Sequence, residues 1–106
     1  MVQPIPLRMT CAAAARLIQQ RSDDSGNVIV TDHAQERMDE RSITLNDVLT
    51  IMRRGSVYVM SFRNEQNDWQ AEIERRMPGG RDAAVVTVIP AGDRLIIRTV
   101  MWRDER

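Results

Sequence analysis

The sequence contains no lysine. All fifteen formal positive charges are arginine, and fifteen acidic residues balance them to a net charge of zero with the single histidine neutral. Neutrality excludes a polybasic nucleic-acid coat and a polybasic membrane tether, since both need a large positive excess. A local phosphate site stays open, because a few converging guanidiniums act inside a neutral protein. In many organisms genome base composition alone also favours arginine over lysine. Cysteine is nearly absent: Cys11 has no second cysteine to pair with. No internal disulfide can form, and no oxidising compartment is implied. One histidine and one cysteine cannot build a Cys/His zinc site, so neither a metal nor another cofactor is expected. No apolar run approaches a membrane span. Met1 to Met9 carries Arg8 but no long apolar stretch, so no secretory signal is expected. Repeats, a P-loop and a dinucleotide fingerprint are all missing. The expectation is a cytoplasmic protein.

The 106 residues are 42% hydrophobic, enough for the core of one domain. That domain is expected to span 1–106, with an extension and helix over 1–27 and an α+β core over 28–102. Pro4 and Pro6 favour an extended start. Thr10 caps a helix running to about Arg21, with Ala12 to Ala15 as strong helix formers and Gly26 suited to end it. Val28 to Val30 reads as a brief strand. Thr31 or Asp32 caps a second helix over His33 to Arg41. Thr44 and Asp47 form a capping box for a third, whose Leu45, Val48, Leu49 and Met52 make a core stripe that stops at Gly55.

From Ser56 the period changes to two. Strands are expected over Val57 to Arg63, from Trp69, over Ala83 to Ile89 and over Leu95 to Trp102. Turns fall at Asn64 to Asp68, Pro78 to Gly80 and Pro90 to Asp93. Trp69, Ile73 and Met77 also fit helical spacing, but the Pro-Gly-Gly turn that follows favours a hairpin. The expected fold is α+β: helices packed on a curved, mainly antiparallel four-stranded sheet. In the last strand, simple alternation puts Leu95, Ile97, Thr99 and Met101 on one face, and Ile96, Arg98, Val100 and Trp102 on the other.

One constellation carries chemistry. His33, Arg37 and Arg41 recur at i, i+4 and i+8, so they share a helix stripe, while Ala34 and Met38 form the stripe beside it. Two guanidiniums on one stripe match the oxygens of a phosphate. His33 lies in the first turn, where the helix dipole disfavours the imidazolium, and a neutral imidazole beside a bound phosphate is a general base. The same residues also fit a solvated face, with Glu36 and Glu40 as local ion partners and Asp32 holding His33. Arg98 and Trp102 make a second cluster, in which Trp102 either stacks on a base or covers a core edge. Tyr58 offers a hydroxyl for binding or for packing. Cys11 reads as a small buried hydrophobe.

The run Thr31-Asp32-His33-Ala34-Gln35-Glu36-Arg37-Met38-Asp39-Glu40-Arg41-Ser42-Ile43-Thr44 resembles an uncharacterised bacterial family, domain of unknown function 4258. The family pattern is a His-Ala pair, an arginine shortly after, a Glu-Arg-Gly-Ile-like turn, and a helix bearing Asp-Val that ends at glycine. Asp47-Val48 and Gly55 complete it here, and Thr99-Val100-Met101-Trp102 is similar to the family's last strand. The resemblance covers residues 28 to 102, with Ser42 in place of the usual glycine. The layout also resembles RelE/MqsR-type bacterial toxins, which cleave mRNA without a metal on a small sheet. That resemblance implies a toxin of a toxin–antitoxin pair, acting as an endoribonuclease through attack of the ribose 2′-hydroxyl. It implies His33, Arg37, Arg41 and Thr99 as catalytic residues, and Tyr58, Arg98 and Trp102 as substrate-binding residues. The implied partners are RNA, ribosome-bound mRNA among the options, and a neutralising antitoxin, with a homodimer left open. RelE-like toxins are strongly basic and this chain is neutral, which also leaves a free-RNA enzyme, a degenerate toxin-like domain or a non-catalytic protein-binding module.

Overall fold

A computed structural model describes residues 9–59 and 61–105. The extended start expected at Pro4 and Pro6 lies outside them. Helix α1 spans Cys11–Ser22, and the Thr10 hydroxyl accepts from the Ala13 amide at its first turn. Its C-cap is Asp23, while Gly26 falls in the short 3-10 turn Ser25–Asn27. The expected glycine stop for this helix is therefore corrected. Strand β1 is Val28–Val30 and leads into α2, Asp32–Arg41, capped by Thr31. Helix α3, Leu45–Arg54, begins with the expected capping box of Thr44 and Asp47. Strands β2, Phe62–Arg63, β3, Trp69–Arg76, β4, Asp82–Ile89, and β5, Leu95–Trp102, follow, and a 3-10 turn covers Arg103–Glu105.

The sheet has five strands in the order β1-β5-β4-β3-β2, with β1 parallel to β5 and the other pairs antiparallel. The expected four-stranded antiparallel sheet is thus a mixed one. Val28–Val30 is the added strand, and its partner Leu95–Ile97 lies far along the chain. Parallel partners are joined by long crossovers rather than by a local turn, so no short-range signal marks them. The strand expected over Val57 to Arg63 is also reduced. Ser56 pairs with Glu74 and Phe62 with Gln70, and the stretch between is longer than the residues 71–73 it faces. A continuous ladder cannot form across that mismatch, and Tyr58 and Val59 stand exposed.

One face of the sheet carries all three helices. Ala14 and Ile18 from α1, Ala34 and Met38 from α2, and Val48, Ile51 and Met52 from α3 pack with Ala71, Ile73, Val85, Ile97 and Val100 in one core cluster. Each fully buried Ile, Val or Met side chain here contributes about 1.5–3 kcal/mol of transfer free energy. The opposite face carries Ala84, Val86 and Val88 from β4, outside that cluster, with the polar side chains of β3 beside them.

A bulge decides which residues of β5 face the helices. Val86 pairs with Thr99 but Thr87 pairs with Ile97, so Arg98 is an extra residue on β5. The alternation resets there: Leu95, Ile97 and Val100 are all fully buried. Thr99 shares the helix-free face with its partner Val86. Trp102 shares the helix-bearing face with Ala83. The expected faces of β5, which put Arg98 with Trp102 and Thr99 with Ile97, are corrected accordingly.

Two turn positions generate tests. Ser42 holds a left-handed conformation, φ 55°, at the end of α2. A Cβ disfavours that region by about 1–2 kcal/mol. Ser42→Gly is expected to raise stability by up to about 1 kcal/mol in chemical denaturation. Gly55 has φ −79°, so its conformation suits any residue. Space is what demands glycine: a Cβ would meet the Ile51 carbonyl, the Glu74 carbonyl oxygen at 2.7 Å and Ile73 Cγ1 at 2.9 Å. Backbone atoms cannot step aside cheaply, so Gly55→Ala is expected to cost about 1–3 kcal/mol in the same assay.

Candidate functional site

Helix α2 is attached to β5 at both ends. At its start the Thr31 hydroxyl accepts from the Ala34 amide at 3.1 Å and donates to the Ile97 carbonyl at 2.8 Å. At its finish the Trp102 indole Nε1–H donates to the Arg41 carbonyl at 3.0 Å. Between them Ala34 and Met38 are buried against the sheet. These three constraints fix the helix's rotation, and they turn the neighbouring stripe of His33, Arg37 and Arg41 outward. That stripe rises roughly 12 Å from His33 to Arg41.

His33 is exposed and makes no hydrogen bond or ion pair among the described residues. Arg37 Nη1 lies 2.8 Å from Glu40 Oε2, and Arg37 Nη2 lies 3.7 Å from Glu36. Arg41 donates from Nε to Glu105 at 3.0 Å, and its Nη1 is 3.8 Å from Glu40. Both guanidiniums keep a buried nitrogen without a hydrogen bond: Nε of Arg37 and Nη1 of Arg41. An unmet buried donor costs about 1–3 kcal/mol.

A third guanidinium joins them. Arg81 grips Asp104 with two hydrogen bonds, 3.0 Å from Nε and 2.8 Å from Nη2, and reaches Glu105 at 3.4 Å. Its guanidinium carbon lies 4.3 Å from the centre of the Trp102 ring, a cation–π contact. Glu105 therefore sits between Arg41 and Arg81. Sequence reading does not single out Arg81. It follows the Pro78–Gly80 turn and reaches Asp104 only because the hairpin and the last strand pair.

The other expected site residues lie elsewhere. Thr99 is on the helix-free face, and Arg98 donates to Gln70 on that same side at 3.0 Å. Arg103 binds Glu72 and Glu74 there, at 3.0 and 3.3 Å. Tyr58 is 71% exposed beside the C-terminal end of β3, on its outer edge, and lines a shallow hollow of about 270 Å³ with Glu74, Arg75, Arg76 and Asp82. Strands β4 and β3 separate that edge from β5, a span of roughly 14 Å. The structure thus brings together His33, Arg37, Arg41 and Trp102 on the α2 side, and sets Thr99, Arg98 and Tyr58 apart from them. Val59 and Phe62 are further exposed apolar side chains in the segment that follows Tyr58.

The hydrogen bond from Arg81 holds the Asp104 carboxyl below its ordinary value of 3.8, and the same bond raises Arg81. The folded carboxyl has the depressed value, so its pairing stabilises the turn at pH above the ordinary value. That contribution is lost as pH falls below it, through the folded value. The indole Nε1–H resonance of Trp102 is expected to stay fixed from neutral pH to about pH 4 and to shift below it. In Arg81→Gln the carboxyl returns toward its ordinary value, so the shift should begin at higher pH.

No helix among the described residues is long and apolar enough to cross a membrane. No curated protein and no solved structure matches the chain. A family model does match, over residues 30–102, which contain α2, α3 and strands β2 to β5. The chain therefore belongs to the family described as a domain of unknown function (DUF4258).

Proposed function

We propose that the outward face of α2 handles an RNA phosphate and that the chain is a metal-independent endoribonuclease of the toxin type. The observation that carries this reading is one stripe holding an unengaged imidazole and two guanidiniums with unmet buried donors. Unmet donors of this kind are completed by a water, an ion or a ligand oxygen. In this reading His33 takes the proton from the ribose 2′-hydroxyl. The 2′ oxygen bonds to phosphorus, the bond from phosphorus to the 5′ oxygen breaks, and a 2′,3′-cyclic phosphate remains. The leaving oxygen regains a proton from the imidazolium or from water. Arg37 and Arg41 hold the phosphate and stabilise the charge that builds on its oxygens. Trp102 positions α2 through the Arg41 carbonyl, and Thr99, Arg98 and Tyr58 receive no step. The RelE-like layout, a cytoplasmic location and a neutralising antitoxin belong to this same reading.

A second reading has its own support. Glu36, Glu40 and Glu105 already neutralise the stripe's arginines, and Tyr58, Val59 and Phe62 are exposed apolar side chains along the segment outside β3. Those features suit a non-catalytic module that binds a protein partner.

Two measurements separate the readings. Induced expression of the parent is expected to arrest growth, and His33→Ala and Arg41→Ala to relieve it while keeping the parent's circular dichroism. Purified parent is expected to leave 2′,3′-cyclic phosphate ends on RNA, with a loss of about a hundred-fold or more in His33→Ala. Arrest that survives both substitutions removes the catalytic roles, and a folded parent inert toward RNA favours the binding module.

A further inference from the structure

We infer that Arg81 completes the anion site of α2, and that Glu105 occupies that site as an internal stand-in for the ligand's phosphodiester. The inference deepens the phosphate-handling reading and rests on it for the identity of the ligand. Its basis is one carboxylate shared by two guanidiniums from different elements. Glu105 Oε2 lies 3.0 Å from Arg41 Nε, and its Oε1 lies 3.4 Å from Arg81 Nη2. A phosphodiester also presents two equivalent oxygens on one centre, so it can take the same place between the same donors.

The surroundings favour exchange over a permanent bridge. Glu105 takes one hydrogen bond from Arg41, at 3.0 Å, and only a long one from Arg81, at 3.4 Å, so the bridge is not a tight one. Glu105 has 38% of its side chain exposed, and it sits on a three-residue turn, Arg103–Glu105, that contains no buried residue. Exposed ion pairs of this kind are worth about 0–1 kcal/mol, so displacing one costs little. Arg81 is steadied independently of Glu105, by Asp104 and by stacking on Trp102. When Glu105 leaves, Arg81 therefore stays in position beside Arg41. The neutral balance of the chain then does not decide binding at this site, where Glu105 is the carboxylate that Arg41 and Arg81 share.

The test uses the full chain and a short fluorescein-labelled single-stranded RNA whose riboses are 2′-O-methylated, so that it binds without being cleaved, followed by anisotropy across a salt series. Glu105→Gln is expected to bind at least about five-fold tighter than the parent, well beyond Glu65→Gln, which removes the same charge on the exposed turn after β2. Arg81→Gln is expected to bind more weakly, with a salt slope shallower by about one, and the double variant to lose the gain of Glu105→Gln. Both positions are exposed, and an unchanged melting curve certifies each variant. A Glu105→Gln affinity equal to that of Glu65→Gln overturns the stand-in role. An Arg81→Gln affinity and slope equal to the parent's overturn the role of Arg81. Pyrophosphate, followed through the Trp102 indole resonance, separates this inference from the reading beneath it. If no variant binds RNA but pyrophosphate shifts that resonance in Glu105→Gln and not in the double variant, the anion site stands and the ribonuclease reading falls. If the parent cleaves RNA while Glu105→Gln gains no affinity for either probe, the ribonuclease stands and the anion site falls.

Discussion

Everything on the candidate face depends on how α2 is held against β5. Two hydrogen bonds set its ends, one from Thr31 to the Ile97 carbonyl and one from Trp102 to the Arg41 carbonyl. Neither is strong alone, since a net contribution of about 0.5–1.5 kcal/mol is ordinary. Their effect is geometric. With Ala34 and Met38 buried between them, the helix cannot roll, and the stripe one step around it must face outward. Thr31 does this twice over, because its hydroxyl also caps the helix that it tethers. The parallel pairing of β1 with β5 brings Thr31 to Ile97, so the short strand matters more for aiming α2 than for the size of the sheet.

The bulge at Arg98 is the second constraint, and it acts on composition as much as on shape. Without an extra residue, the face holding Leu95 and Ile97 would continue with Thr99 and Met101. Val100 and Trp102 would then turn away from the helices. The bulge exchanges these two sets. It buries Val100 in the core and delivers the Trp102 indole to the end of α2. The same reset sends Thr99 to the other side, where Arg98 already lies and its guanidinium finds Gln70 and not a phosphate neighbour of Arg41. One inserted residue thus assembles half of the candidate site and removes another part of it.

These two devices also mark where sequence reading succeeds and where it stops. Features written within a few residues are legible: the caps at Thr10, Thr31 and Thr44, the Pro-Gly-Gly hairpin, the ends of β5 and the shared stripe of His33, Arg37 and Arg41. Local spacing sets each of them. The expected α3 stripe is legible only in part: Val48 and Met52 are buried, but Leu45 stands 49% exposed and Ile51 is buried beside them. The misses are non-local. A parallel partner far along the chain has no turn to announce it, and a bulge depends on the opposing strand's register rather than on its own residues. Gly55 falls between the two classes. Its place as a helix stop is legible, but its reason is the nearness of Ile73 and of the Glu74 carbonyl across the fold.

Charge shows the same division. Counting arginines against acids predicts a self-neutralised surface, and the α2 face is one: Glu36 and Glu40 serve Arg37, and Glu105 serves Arg41. Counting does not say which pairs are local and which are made by the fold. The pairs of Glu36 and Glu40 with Arg37 belong to the helix and form wherever that helix forms. The pairs of Glu105 with Arg41 and of Asp104 with Arg81 exist only after β5 has paired with β4 and carried the turn beyond it to α2. A local pair is replaced as soon as it breaks, because its partner never leaves the neighbourhood. A fold-made pair on an exposed turn can part without disturbing a buried residue, since residues 103–105 contain none. In the proposed exchange the acid that a ligand would displace is therefore Glu105, with Asp104 left on Arg81, and the arginines it would meet are Arg41 and Arg81.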